Sequence, residues 1–277
     1  MKQNKHLTQQ GEIWRKSLRM PFGDYNERTK SDETEREFWN QMMSRKGGYE
    51  PDPYSHAVAD ATLGILAQAG QMDSILEIGP GWGNYTLRLA EQCRELVCVD
   101  ISEDVLRYIQ KVAVENGVSN IGAVFGKWEE AITTRCDMVF AYNCFYRMRD
   151  IEDCLLKING SANKLCVIGM SGSPEQPYLS DFDAAGLQAR YTRMNHHNLN
   201  AILGELGIEA HMMDIPNERE YVYESFDELF NRAAAYLCGE FDTGEVEKIL
   251  RRYYRHEKGY WRCIYKFISG LIWWSPV

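Results

Sequence analysis

The residues most able to do chemistry lie in one short stretch, Glu77-Ile78-Gly79-Pro80-Gly81-Trp82-Gly83-Asn84, where a carboxylate and three glycines alternate at two-residue spacing. An apolar run, Ile75-Leu76, precedes it, and Leu87 and Leu89 at helical spacing follow. Glycine lets a backbone turn sharply and come close to a ligand. A loop of this kind between a strand and a helix holds a nucleotide-like ligand at the carboxyl end of the strand, near the helix N-terminus. The next apolar run ends at Asp100, seventeen positions after Gly83. An acid there can accept hydrogen bonds from both hydroxyls of a ribose.

Two cofactor classes use that geometry. The dinucleotide fingerprint G-x-G-x-x-G needs a third glycine at position 84, which holds Asn84. The pattern present is E-x-G-x-G-x-G, and with Asp100 it resembles the class I S-adenosylmethionine-dependent methyltransferases. The resemblance covers about residues 56–215, and the closing strand extends it to the C-terminus. It implies that Gly79, Gly81 and Gly83 lie under the methionine portion of S-adenosylmethionine, with Glu77 organising the loop and approaching the amino group. It implies that Asp100 binds the ribose diol and that Ile101 covers one face of adenine. An aspartate often contacts the adenine amine where this chain has Lys127, so Trp128 or a backbone carbonyl is left to finish the pocket. Asn143, after the fourth strand, is expected beside the sulfonium and the acceptor. The product would be S-adenosylhomocysteine.

The elements that must position these residues follow from the apolar pattern. Short apolar runs at 74–79, 95–100, 121–126, 137–143 and 164–170 suit parallel strands buried on both faces. Helical patterns separate them: Ser102 can cap one with Val105, Leu106, Ile109 and Val112 inward, and Asp150 can cap another with Ile151, Cys154, Leu155 and Ile158 inward. Runs at 209–215 and 263–274 read as two closing strands. The expectation is an α/β, doubly wound, seven-stranded sheet. The family resemblance supplies its order, 3-2-1-4-5-7-6, with the last strand antiparallel.

Residues 1–55 are expected to form an N-terminal helical lid, and 56–277 the methyltransferase domain with a helical insertion at 217–261. Tyr49 and Tyr54, in a proline-broken loop, are the lid's candidates for touching the cofactor. Tyr25, Phe38 and Trp39 add aromatic surface, the last two with packing as their plainer role. His196 and His197 open a helix after the fifth strand and are the candidates for a general base. Their plainer reading is the first turn of a surface helix. Asp181 and Tyr178 are secondary candidates. No metal triad follows the fourth strand, so no metal is expected.

Composition narrows the partners. The chain has 277 residues, with 31 basic against 40 acidic side chains, a formal charge of −9. A protein that grips a nucleic acid backbone usually carries the opposite sign, so no nucleic acid partner is expected. No apolar run reaches membrane-spanning length, and the polar first ten residues carry no apolar signal core. The eight cysteines form no C-x-x-C pair and read as reduced thiols of a cytoplasmic protein. The apolar C-terminus at 271–274 could serve as a homodimer seam, or be buried as the last strand. The leading function is methyl transfer to an O, N or C atom of a small molecule. The alternatives are a cofactor-binding partner protein without catalysis and a protein or RNA methyltransferase.

Overall fold

The computed structural model describes residues 6–19, 27–191 and 194–277. Its centre is one sheet of eight strands among the described residues: β1 (Ser74–Ile78), β2 (Glu95–Asp100), β3 (Ile121–Phe125), β4 (Cys136–Tyr142), β5 (Ala162–Ser171), β6 (His211–Tyr223), β7 (Arg255–Glu257) and β8 (Tyr260–Trp274). The strand order is β3-β2-β1-β4-β5-β8-β6, with β7 paired to β8. Strands β1 to β5 are parallel, and β8 runs antiparallel to both β5 and β6.

The expected order is present, with two differences. The eighth strand, β7, forms because Lys258 (φ 51°) and Gly259 (φ 85°) both take left-handed backbone, the geometry of a tight two-residue hairpin turn. Strand β6 is longer than the expected run at 209–215, and all thirteen of its residues pair with β8. The polar residues Asn217 to Glu220 are tolerated there because an antiparallel ribbon can leave one face in water. The segment 217–261 therefore opens and closes on strand and is helical only in between.

Among the described residues eleven α-helices surround the sheet: α1 (Gln9–Ser17), α2 (Glu27–Lys30), α3 (Asp32–Arg45), α4 (Ser55–Ala69), α5 (Thr86–Ala90), α6 (Glu103–Glu115), α7 (Ile151–Ser161), α8 (Leu179–Ala184), α9 (His196–Glu205), α10 (Phe226–Ala234) and α11 (Thr243–Tyr253). Ser102 Oγ accepts the Val105 amide and starts α6, whose buried stripe is Val105, Leu106, Ile109 and Val112. That stripe packs with α4 and α5 on one sheet face. Helices α7 and α9 cover the other, together with Trp14 of α1, which is fully buried and donates Nε1 to the Met148 carbonyl. Burial of each such side chain contributes about 1.5–3 kcal/mol. Helices α8, α10 and α11 share a third core with the β6–β8 ribbon.

The start of the N-terminal segment is thus part of the body of the protein, not a cover. Leu271, Ile272 and Trp274 are buried in β8 between β5 and β6, so this C-terminal run is interior. No helix among the described residues is long and apolar enough to cross a membrane.

Candidate active site

A cavity of about 450 Å³ opens at the carboxyl ends of β1, β2 and β4. Its wall includes Glu77, Gly79, Gly81, Asp100, Ile101, Trp128, Asn143 and Tyr54, eight of the residues picked out above. Gly79 takes φ 64°, and a β-carbon there would stand 2.6 Å from the Cys144 β-carbon, so no side chain fits. Gly81 takes φ 54° and faces the indole of Trp39. Gly83 and Tyr49 do not line the cavity. The Tyr49 hydroxyl donates to the Gly83 carbonyl at 3.0 Å, so this tyrosine props the loop instead of entering the site. Tyr25 lies outside the described residues.

Two carboxylates face the cavity without a cation beside them. Glu77 is buried, with the Cys98 thiol 3.7 Å away, and burial pushes its carboxyl up to about 7. Burial does the same to Asp100, also to about 7, although the Ser102 amide donates to it at 2.8 Å. Trp128 is buried and donates its indole N–H to the Cys154 carbonyl. Asn143 takes a left-handed conformation (φ 54°), and its carboxamide oxygen accepts the Ser171 amide at 2.9 Å.

Helix α3 is tied across the mouth. Asp32 pairs with Arg147 at 2.7 Å and Lys127 at 3.2 Å, so the lysine that replaces an adenine-binding acid anchors a helix. Glu35 is buried and accepts from Arg28 (2.7 and 3.0 Å), Trp39 Nε1 (2.9 Å) and the Tyr146 hydroxyl (2.5 Å). Asn84 has its own partner: its side chain exchanges hydrogen bonds with Asp52, which also accepts from Tyr54 and Trp82.

A second cavity, about 740 Å³, adjoins the first. Thr29, Trp39, Tyr54, Tyr142, Asn143 and Tyr146 belong to both walls. Tyr142 reaches this boundary because its ring lies over Gly169 of β5, where a β-carbon would be 2.7 Å from it. Its hydroxyl is buried and meets no partner in hydrogen-bond geometry.

His196 and His197 line neither cavity. The His196 ring is buried on Gly270 and Gly172, and its Nε2 meets the Asp214 carboxylate at 2.6 Å. His197 stacks on it with ring centroids 4.1 Å apart. The helix start expected to bring a base over the reacting group instead packs onto the face of the sheet at β8. Tyr178 is buried in the third core, and Asp181 pairs with Arg252 at 3.2 Å.

Residues 75–161, from β1 through α7, match the family model described as "Methyltransferase domain". Over those residues the chain carries a methyltransferase domain. S-adenosylmethionine is the cofactor of such domains.

The fold agrees. NodS, an N-methyltransferase from Bradyrhizobium japonicum WM9 solved with S-adenosyl-L-homocysteine, is 13% identical to this chain. That match covers 87% of this chain and 97% of the other, with a TM-score of 0.51. The magnesium protoporphyrin IX methyltransferase ChlM from Synechocystis PCC 6803 is 12% identical over 87% of this chain and 99% of its own, TM-score 0.51. YcgJ from Bacillus subtilis is 14% identical over 77% and 97%, also TM-score 0.51. Likeness at these identities is one of fold. Among curated proteins, "Probable dimethyladenosine transferase" from Dictyostelium discoideum is 36% identical over 45 residues, 16% of this chain and 14% of that protein's length.

The first cavity fits S-adenosylmethionine on two observations. Buried carboxylates without countercharge face it from β1 and β2, and Gly81 turns a backbone with no side chain toward it. Sequence reasoning missed Asp32, Glu35 and Tyr146 as wall residues. A signal existed for one of them: Asn143-Cys144-Phe145-Tyr146 places both of its ends on the shared wall.

Proposed function

We propose that this protein transfers the methyl group of S-adenosylmethionine, bound in the first cavity, to a small molecule bound in the second. The observation that carries the reading is the wall the two cavities share, at Tyr54, Tyr142 and Asn143, beside the glycine loop. Asp100 would accept both ribose hydroxyls and Glu77 the amino group, while Ile101 and Trp128 close on the base. When bound, the cofactor supplies an activated methyl group. The protein's own task is then to align the acceptor and keep water out.

Among the described residues no histidine lines either cavity. Among the described residues, Tyr142 has a buried hydroxyl at the boundary, with the Ser269 side chain as its polar neighbour. Burial raises it to about 12, so it stays protonated and serves as a hydrogen-bond donor. We assign α3 and the 49–54 loop as the site's cover, and the helical part of 217–261 as the outer support of the acceptor cavity.

The short match to a dimethyladenosine transferase raises nucleic acid as an acceptor. The basic side chains that would have to carry it are mostly engaged: Arg15 with Glu152, Lys16 with Glu12, Arg251 with Glu247 and Arg252 with Asp181. ChlM, similar in fold, is named for a small-molecule acceptor. The test is transfer of labelled methyl from S-adenosylmethionine into a cell extract, followed by size separation. Label in the low-mass fraction is expected. Label in RNA or protein would overturn the small-molecule reading.

A further inference from the structure

The second cavity has a chemical character of its own. Of the 27 wall residues, eleven are aromatic, among them Tyr191, Tyr221, Tyr236, Tyr265 and Phe267 on the side away from the first cavity. Flat, rigid aromatic walls favour a flat guest, through stacked or edge-on ring contacts. Among the described residues the wall also holds four arginines, Arg19, Arg28, Arg190 and Arg219, against one carboxylate, Glu175, in a chain whose formal charge is −9.

Arg219 and Arg190 have no carboxylate partner among the described residues. Arg28 is engaged by Glu35. Arg219 lies over the Tyr54 ring with its guanidinium carbon 4.1 Å from the centroid, and its Nη1 donates to the Tyr221 hydroxyl at 3.3 Å. Arg190 donates Nη2 to the Leu237 carbonyl at 3.3 Å. Glu175, the one opposing acid, holds Tyr221 through its backbone carbonyl. A half-buried guanidinium held by neutral groups and ring faces keeps its charge and several donors for a guest. Guanidinium is suited to carboxylate and other oxyanions, and it stacks on rings. The buried Tyr142 hydroxyl, beside Ser269, adds a polar group at the cavity's inner end.

We infer that the methyl acceptor is a flat aromatic molecule carrying an ionised acidic group, its rings against the tyrosines and its anion on Arg219 and Arg190. This rests on reading the second cavity as the acceptor's site. Arg219 is the selective residue, since it joins the cationic and the aromatic parts of the wall by lying on Tyr54.

The test is calorimetric titration of the full chain saturated with S-adenosylhomocysteine, using 2-naphthoate, neutral 2-naphthamide and non-aromatic cyclohexanecarboxylate as probes. 2-Naphthoate is expected to bind at least about tenfold more tightly than either control. Arg219→Gln should remove that preference by weakening 2-naphthoate binding more than 2-naphthamide binding, and Arg190→Gln, at a more exposed position, should reduce it without affecting folding. Equal binding of 2-naphthoate and 2-naphthamide, no heat with 2-naphthoate, or an unchanged preference in both variants would overturn the inference. The S-adenosylhomocysteine titration that precedes each run separates the two failures. If that ligand does not bind, the cofactor reading fails; if it binds and the naphthoate preference is missing, only the acceptor class fails.

Discussion

The indole of Trp39 lies against Gly81, its Cη2 3.3 Å from the point where a β-carbon on that glycine would stand. The contact joins α3 to the glycine loop, and Glu35 holds the indole by its N–H. Cover and loop are therefore one packed unit over the first cavity.

A side chain at Gly81 must push on Trp39 and also adopt φ 54°, a region that costs a β-branched residue most. Gly81→Val is expected to abolish S-adenosylhomocysteine binding and to lower stability by about 1 kcal/mol or more. Calorimetry with a melting curve on the same sample checks both. Retained binding would show that the loop does not hold the cofactor.

Glu35 is the buried knot of the cover, with donors arriving from α3, Arg28 and Tyr146. Glu35→Ala strands the Trp39 and Tyr146 donors and removes the bidentate carboxylate from Arg28, a loss of about 3 kcal/mol. Limited proteolysis should then cut within 27–54 before the rest of the chain. Glu35→Gln, which keeps part of the hydrogen bonding, should fall between. A melting temperature equal to wild type in Glu35→Ala would refute the role.

Much of this arrangement was legible in the residues. The alternating apolar runs gave the parallel strands, and the glycines with Asp100 located the first cavity. Other parts were hidden for physical reasons. Asn84 and Lys127 depart from familiar patterns because their partners, Asp52 and Asp32, are distant in sequence. Strand β7 rests on a three-residue pairing too short to leave a pattern. His196 is governed by Gly172 and Gly270, whose missing side chains make room for its ring, and spacing around the histidine cannot reveal that.

His197→Ala is expected to leave turnover within about twofold of wild type, because a general base contributes about 100-fold to 10,000-fold and this ring lines neither cavity. His196→Ala empties a buried site and should lower the melting temperature with little change in turnover per folded molecule. A hundredfold loss of turnover in a fully folded His197→Ala would restore the catalytic assignment.

Glu77 and Asp100 carry a pH signature. Burial lifts their carboxyls from 4.5 and 3.8 to about 7, so the folded protein holds protons there that the unfolded chain has lost. Their contribution to stability is full below about pH 4 and disappears as pH rises through about 7. Ribose hydroxyls and a cofactor ammonium favour the ionised forms, so binding should release protons at about pH 6.5. Titrations in phosphate and in Tris should then give apparent enthalpies that differ with buffer ionisation. Identical enthalpies would contradict the assignment.

The most direct test is the affinity of S-adenosylhomocysteine for wild type and for Asp100→Ala, measured by calorimetry on folded protein. Losing two charge-assisted hydrogen bonds to the ribose, each worth about 1.5–3 kcal/mol, predicts one site in wild type and at least about hundredfold weaker binding in the variant. Equal dissociation constants, or no binding to wild type, would contradict the placement of the cofactor in the cavity that Asp100 lines.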